Sequence, residues 1–201
     1  LAAELGANLF YARLAGHGRH GTEALGEPTA ACWRRDAEEA LAIGTRIGER
    51  VLLVGCSTGA TLATLLAAAA PSELAAVVLL APNFGPRDPR TRILTWPGAR
   101  RWVPWLVGRE RVVQAENEAH GRYWTLRYPT RSLVPMMEFV QQAREAPLDR
   151  VRAPVLAIWC EADEVVDARR IPAVLARMTG ATVATMRLPA AAGSTNHVVV
   201  G

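Results

Sequence analysis

The segment Gly55-Cys56-Ser57-Thr58-Gly59 places a serine between two glycines, directly after the apolar run Val51-Leu52-Leu53-Val54. A serine on a sharp strand-to-helix turn presents its hydroxyl clear of the backbone, and flanking glycines let strand and helix pack closely. That arrangement suits a nucleophile. Helix formation from Thr58 onward would put the Thr58 N–H and the positive helix end beside a developing oxyanion. A nucleophilic serine needs a base, and the base needs an acid to orient it. Downstream of Ser57 there are two histidines, His120 and His197. His197 sits in Ser194-Thr195-Asn196-His197, a loop after the last strand pattern, and is the preferred base. His120 falls in a region without strands and reads as an exposed or locally packed histidine. Glu161, Asp163, Glu164 and Asp167 all follow the apolar run Val155 to Trp159. Asp163, four residues past Trp159, is the preferred acid because a tight turn there swings its carboxylate toward His197; Asp167 is the second choice.

These residues must be carried by a regular scaffold. Val51 to Val54, Ala76 to Ala81, Val155 to Trp159 and Ala181 to Leu188 read as strands. Val51 to Val54 is a continuous apolar run, the pattern of a strand buried on both faces. Asn8 to Arg13 reads as a further short strand, and Leu14 to Gly26 as a glycine-rich loop. Helices are expected over Asp36 to Gly48, with Asp36 and Glu39 as a capping pair, over Thr58 to Ala70 with Pro71 as its stop, and over Ala168 to Thr179. Strands alternating with helices predict an α/β fold with a parallel sheet.

Residues 85–148 interrupt this alternation. They hold four of the six tryptophans, Trp96, Trp102, Trp105 and Trp124, and no clear buried strand. They are expected to form a helical insertion, a lid, between core parts 1–84 and 149–201. Its aromatic content fits the lining of an apolar pocket, or a small core of its own. The stretch Trp96 to Arg111 mixes tryptophan with arginine, as a lipid-surface contact would, but Pro97 and Pro104 break a long amphipathic helix there.

The 201 residues suffice for one domain with a substantial core, and 50% are hydrophobic. The net charge of +4 comes from arginines interspersed with acids, with no lysine at all. No concentrated basic face or nucleic-acid module is present, which argues against a nucleic-acid partner. Three cysteines (Cys32, Cys56 and Cys160) fit neither a disulfide framework nor metal-ligand spacing, so reduced thiols in a cytoplasmic protein are expected. No apolar run has the length of a membrane span.

Four motifs occur in a telling order: Leu14-Ala15-Gly16-His17-Gly18, Gly55-Cys56-Ser57-Thr58-Gly59, Ala153-Pro154-Val155-Leu156 leading to Glu161-Ala162-Asp163-Glu164-Val165-Val166, and Asn196-His197. With them the chain resembles the carboxylesterase and monoacylglycerol-lipase-like branch of the α/β hydrolases, also grouped with serine aminopeptidase-like hydrolases. The resemblance implies an α/β-hydrolase fold with Ser57 as nucleophile, Asp163 as acid and His197 as base. It further implies cleavage of a small-molecule carboxylic ester through an acyl-enzyme, without metal or organic cofactor. His17 becomes a structural loop histidine, and Cys56 a bystander. Ala60 and Cys160 depart from the family, whose relatives often carry glycine at both places. The family's first three strands, and the loop giving the second oxyanion donor, should precede Leu1; its last helix should follow Gly201. The expectation is therefore a fragment. Amide or thioester cleavage, or a non-catalytic binding protein on the same fold, are the alternatives.

Overall fold

The computed structural model describes residues 1–19, 21–69, 72–115, 117–191 and 195–197. Its elements are α1 (Ala30–Ile47), β1 (Val51–Cys56), α2 (Thr58–Ala69), β2 (Leu74–Leu80), α3 (Ala99–Val107), β3 (Glu110–Val112), α4 (Glu118–Tyr123), β4 (Arg127–Pro129), α5 (Leu133–Glu145), β5 (Val155–Cys160), α6 (Ile171–Leu175) and β6 (Val183–Leu188). Single turns of 3-10 helix join several of them. Strands β1, β2, β5 and β6 form one sheet in that spatial order, and every described pairing in it is parallel. This is the parallel α/β sheet that alternating strands and helices predict.

Helix α1 begins six residues before the expected start. Thr29 caps it, its hydroxyl accepting from the Cys32 N–H at 3.3 Å, so the proposed cap at Asp36 and Glu39 is wrong. Asp36 lies in mid-helix instead, where its carboxylate accepts from the Ala15 N–H at 2.6 Å. Ala30, Trp33, Ala37 and Leu41 recur at helical spacing and form the buried face of α1. Helix α2 is buried from Ala60 through Ala68, and its small residues let it fit between the sheet, α1 and α5. The proposed end of this helix, Ala70 with Pro71 as its stop, lies outside the described residues.

The sheet has unequal faces. Val77, Leu79, Val155 and Ala157 are buried on the side of α2, in the main core with Trp33, Phe139 and Trp159. On the other side Leu52 and Val54 are 37% and 48% exposed, so β1 is not buried on both faces as its unbroken apolar run suggested. Among the described residues no helix covers that side of β1. Asn8 to Arg13, expected as a strand, has no regular structure and is exposed throughout. A strand needs a neighbour for its ladder, and this segment pairs with none of the described strands. The helix expected over Ala168 to Thr179 is reduced to a 3-10 turn and the five residues of α6.

Residues 85–148 run from the end of β2 to the start of β5. They contain α3, α4, α5 and, unexpectedly, the two-stranded antiparallel ribbon β3–β4. Helix α5 faces two ways. Phe139 and Ala143 enter the main core, while Val134, Met137 and Val140 join Leu94, Ala99 and Val103 in a second cluster. Trp102 packs on that cluster, but Trp96, Trp105 and Trp124 are exposed. Cys32, Cys56 and Cys160 are all free thiols. No helix among the described residues is long and apolar enough to cross a membrane.

Candidate active site

The three preferred residues meet at the carboxyl ends of the parallel strands, where open α/β sheets commonly bind ligands. Ser57 directly follows β1 with φ +51°, a left-handed conformation costly for a side chain. The turn is held by several hydrogen bonds. The Ser57 N–H donates to the Leu80 carbonyl at 2.9 Å, and the Ser57 carbonyl accepts from the N–H groups of Ala60, Thr61 and Asn83. The Thr61 hydroxyl ties the same turn to β2 by donating to the Asn83 carbonyl at 2.7 Å. Gly55 is required here. A Cβ there would lie 2.6 Å from the Gly59 carbonyl carbon and 2.8 Å from the Ala60 Cα. Gly59 is different, because a Cβ at that position meets nothing within 4 Å.

Asp163 follows β5 and is buried, with 2% of its surface exposed. Its Oδ1 accepts from the Val165 and Val166 N–H groups at 2.8 and 2.9 Å. Its Oδ2 lies 2.8 Å from His197 Nδ1. A carboxylate can only accept, so Nδ1 carries the imidazole proton and Nε2 is left as an acceptor. The Ser57 hydroxyl, 2.9 Å from Nε2, supplies the matching donor. The result is a continuous chain of hydrogen bonds from carboxylate through imidazole to hydroxyl. Asn196, just before His197, has φ +57°, and its side chain accepts from the Ala191 N–H. The His197 segment is joined to the acid turn by the Glu164 N–H, which donates to the Thr195 carbonyl at 2.9 Å. Ser194, part of the expected base loop, lies outside the described residues.

Thr58 opens α2, so its N–H belongs to the first helical turn, which offers no internal acceptor. The remaining candidates are occupied elsewhere. Asp167 pairs with Arg169 and Arg170, and hydrogen bonding from Arg169 holds its carboxyl below the usual range. Glu161 pairs with Arg187 at 3.3 Å. The Glu164 backbone serves the His197 segment. His120 is buried in α4, edge-on to Trp124. The His17 ring is tilted against Trp33 with centroids 5.2 Å apart, and burial is the main cause of its lowered pKa. Burial likewise raises the Cys56 thiol, with the Asp163 charge adding to the effect, so this cysteine is a poor thiolate.

Two supporting residues escape a reading by motif. Arg87 donates through Nη1 to the Asp163 carbonyl at 2.9 Å, and no spacing in the sequence points to it. Thr61 could have been found, since it lies one helical turn after Ser57. Cavities of about 480 and 340 Å³ are present, and none of Ser57, Asp163 and His197 lines either.

Residues 3–191 match the family model described as serine aminopeptidase, S33. No curated protein matches the chain. Among solved structures, one described under the metagenome-derived lipolytic enzymes LipS and LipT is 20% identical, with TM-score 0.70, covering 89% of this chain and 70% of its own. A soluble variant of monoglyceride lipase from Saccharomyces cerevisiae, solved with a substrate analog, is 14% identical, with TM-score 0.64 and coverage of 92% and 67%. A thermostable carboxyl esterase from Bacillus coagulans, in complex with glycerol, is 17% identical, with TM-score 0.62 and coverage of 87% and 69%. At such identities these likenesses speak for the fold, while the match along most of the chain makes it a member of the serine aminopeptidase, S33, family of hydrolases, built on the α/β-hydrolase fold.

Proposed function

We propose that this protein is a serine hydrolase of carboxylic esters, acting through Ser57, His197 and Asp163. The observation that carries the reading is the unbroken hydrogen-bond chain from Asp163 Oδ2 to His197 to the Ser57 hydroxyl, at 2.8 and 2.9 Å. In this mechanism His197 Nε2 takes the serine proton as Oγ attacks the ester carbonyl. Asp163 stabilises the imidazolium formed. The Thr58 N–H, at the positive end of α2, donates to the oxyanion. His197 then protonates the leaving alcohol, and a water activated by the same nitrogen releases the acid. Every step uses protein groups and water alone.

The choice of an ester over an amide or thioester follows the lipolytic and esterase names of the structural relatives. Residues 85–148 are the cap over this site in our reading, supported by their insertion between β2 and β5, the strands that lead to Asn83 and Asp163. The substrates in view are short- to medium-chain acyl esters or monoacylglycerol-like lipids.

A fluorophosphonate probe tests the proposal, together with p-nitrophenyl esters of graded chain length. The wild type should be labelled and should hydrolyse at least one ester. Ser57→Ala should lose the label and about 10⁴-fold or more in kcat/KM. Labelling that persists in Ser57→Ala would move the nucleophile elsewhere, and a folded wild type that neither labels nor turns over would favour a binding protein.

A further inference from the structure

The cavity of about 480 Å³ lies at the junction of residues 85–148 with the core, and none of Ser57, Asp163 and His197 lines it. Its walls come from the 3-10 helix Pro89–Thr95, α5, and Arg170 beyond the acid turn. Three guanidinium groups line it: Arg92, Arg144 and Arg170. Arg144 Nη2 and Arg170 Nε lie 3.1 and 2.9 Å from one point, the position a Cβ would take at Gly85. Two like charges are thus gathered over a glycine that leaves them room.

Their acidic partners are few. Arg170 meets Asp167 through Nε at 3.2 Å, whereas Arg92 and Arg144 have no carboxylate partner among the described residues. Glu145 is the acidic residue of the lining, and its Oε1 accepts from Gln141 Nε2. The lining therefore carries two positive charges in excess. Arg144 registers this crowding: partial burial first, then the Arg170 and Arg92 charges, hold its pKa below the usual arginine range. A forked guanidinium pair favours oxyanions, and a dianion would balance the excess. Trp96, 60% exposed, supplies an apolar wall beside the charges, whereas Met137 and Val140 also line the cavity but are almost fully buried.

We propose that this cavity binds a phosphate dianion, either free phosphate or the phosphate of a small monoester whose organic part lies against Trp96. This site is independent of ester chemistry at Ser57. Calorimetric titration at neutral pH and low ionic strength tests it with inorganic phosphate, hexyl phosphate and hexanoate as probes. Both phosphates should bind the intact protein, and hexanoate, with one charge, should bind about tenfold more weakly than hexyl phosphate. Arg144→Ala and Arg92→Ala lie at surface positions, and each should weaken phosphate binding about tenfold with an unchanged circular dichroism spectrum. Tighter binding of hexyl phosphate than of inorganic phosphate would identify a monoester ligand, and equal binding would identify free phosphate. Hexanoate binding as tightly as hexyl phosphate, or phosphate affinity untouched in both variants, overturns the proposal.

Discussion

The Asp163 carboxylate spends both oxygens inside the protein, one on two backbone N–H groups and the other on His197. The two backbone donors fix the carboxylate plane, and that plane fixes the imidazole. Asp163→Asn tests this division of labour. An amide that keeps its oxygen toward Val165 and Val166 must turn its NH₂ toward His197 Nδ1. The imidazole would then carry its proton on Nε2 and could no longer accept from Ser57. We expect kcat/KM to fall about 10³- to 10⁴-fold near neutral pH, with a thermal midpoint close to wild type. A loss below tenfold, measured on a good ester substrate, would show that Asp163 does not orient the base. That Ser57, Asp163 and His197 come together was legible in the sequence because each follows its own strand pattern. Arg87 could not, because it acts through a backbone carbonyl 76 positions away, a contact that leaves no mark in spacing.

At the scale of elements, the turn between β1 and α2 depends on unequal glycines. Gly55 lies against the backbone of Gly59 and Ala60, and no side-chain movement can relieve contacts made with backbone. Gly59 faces open space. Gly55→Ala should therefore cost about 2 kcal/mol or more in unfolding free energy and remove most of the hydrolase activity proposed above, while Gly59→Ala should leave stability within about 0.5 kcal/mol of wild type. Urea melts of the two variants decide it; equal losses would mean that close packing at Gly55 is not what shapes the turn. The motif alone marks both glycines alike. Local sequence was a good guide wherever an element makes its own pattern: the four sheet strands and the course of α2 were legible, while α1 was read six residues short and without Ala30 and Trp33 of its buried face. It failed where a neighbour decides. Asn8 to Arg13 has strand composition but no ladder partner among the described residues, and Leu52 and Val54 are apolar without being covered. The ribbon β3–β4 was missed because three-residue strands are too short to show a period.

Across the whole molecule, residues 85–148 are joined to the core by apolar packing and by several polar contacts. Helix α5 contributes Phe139 and Ala143 to the main core, an apolar attachment buried on folding. One group of polar contacts rests on two arginines that reach back to the segment before α1. Arg100 donates to the carbonyls of Pro28 at 2.7 Å and Glu27 at 2.6 Å, and also to Gly26. Arg131 donates to the Gly26 carbonyl at 3.0 Å and pairs with Glu23 and Glu27. The exposed ion pairs contribute little, because water and salt screen them. The carbonyl contacts of Arg100 differ, since one guanidinium reaches three acceptors at fixed angles; its removal takes that donor from the Pro28 and Glu27 carbonyls, while Gly26 keeps Arg131. Arg100→Ala should then lower unfolding free energy by about 2 kcal/mol, and Arg100→Lys should restore only part of it, because an ammonium lacks the fork. Glu23→Gln, which removes one exposed pair, should change stability by less than about 0.5 kcal/mol. Hydrogen exchange separates local from global effects. If Arg100 clamps residues 85–148 to the core, the amides of α3 should exchange faster in Arg100→Ala while those of α2 fall only with the global stability. Equal acceleration in both helices would mean that residues 85–148 do not open as a unit, and that Arg100 supports the fold as a whole.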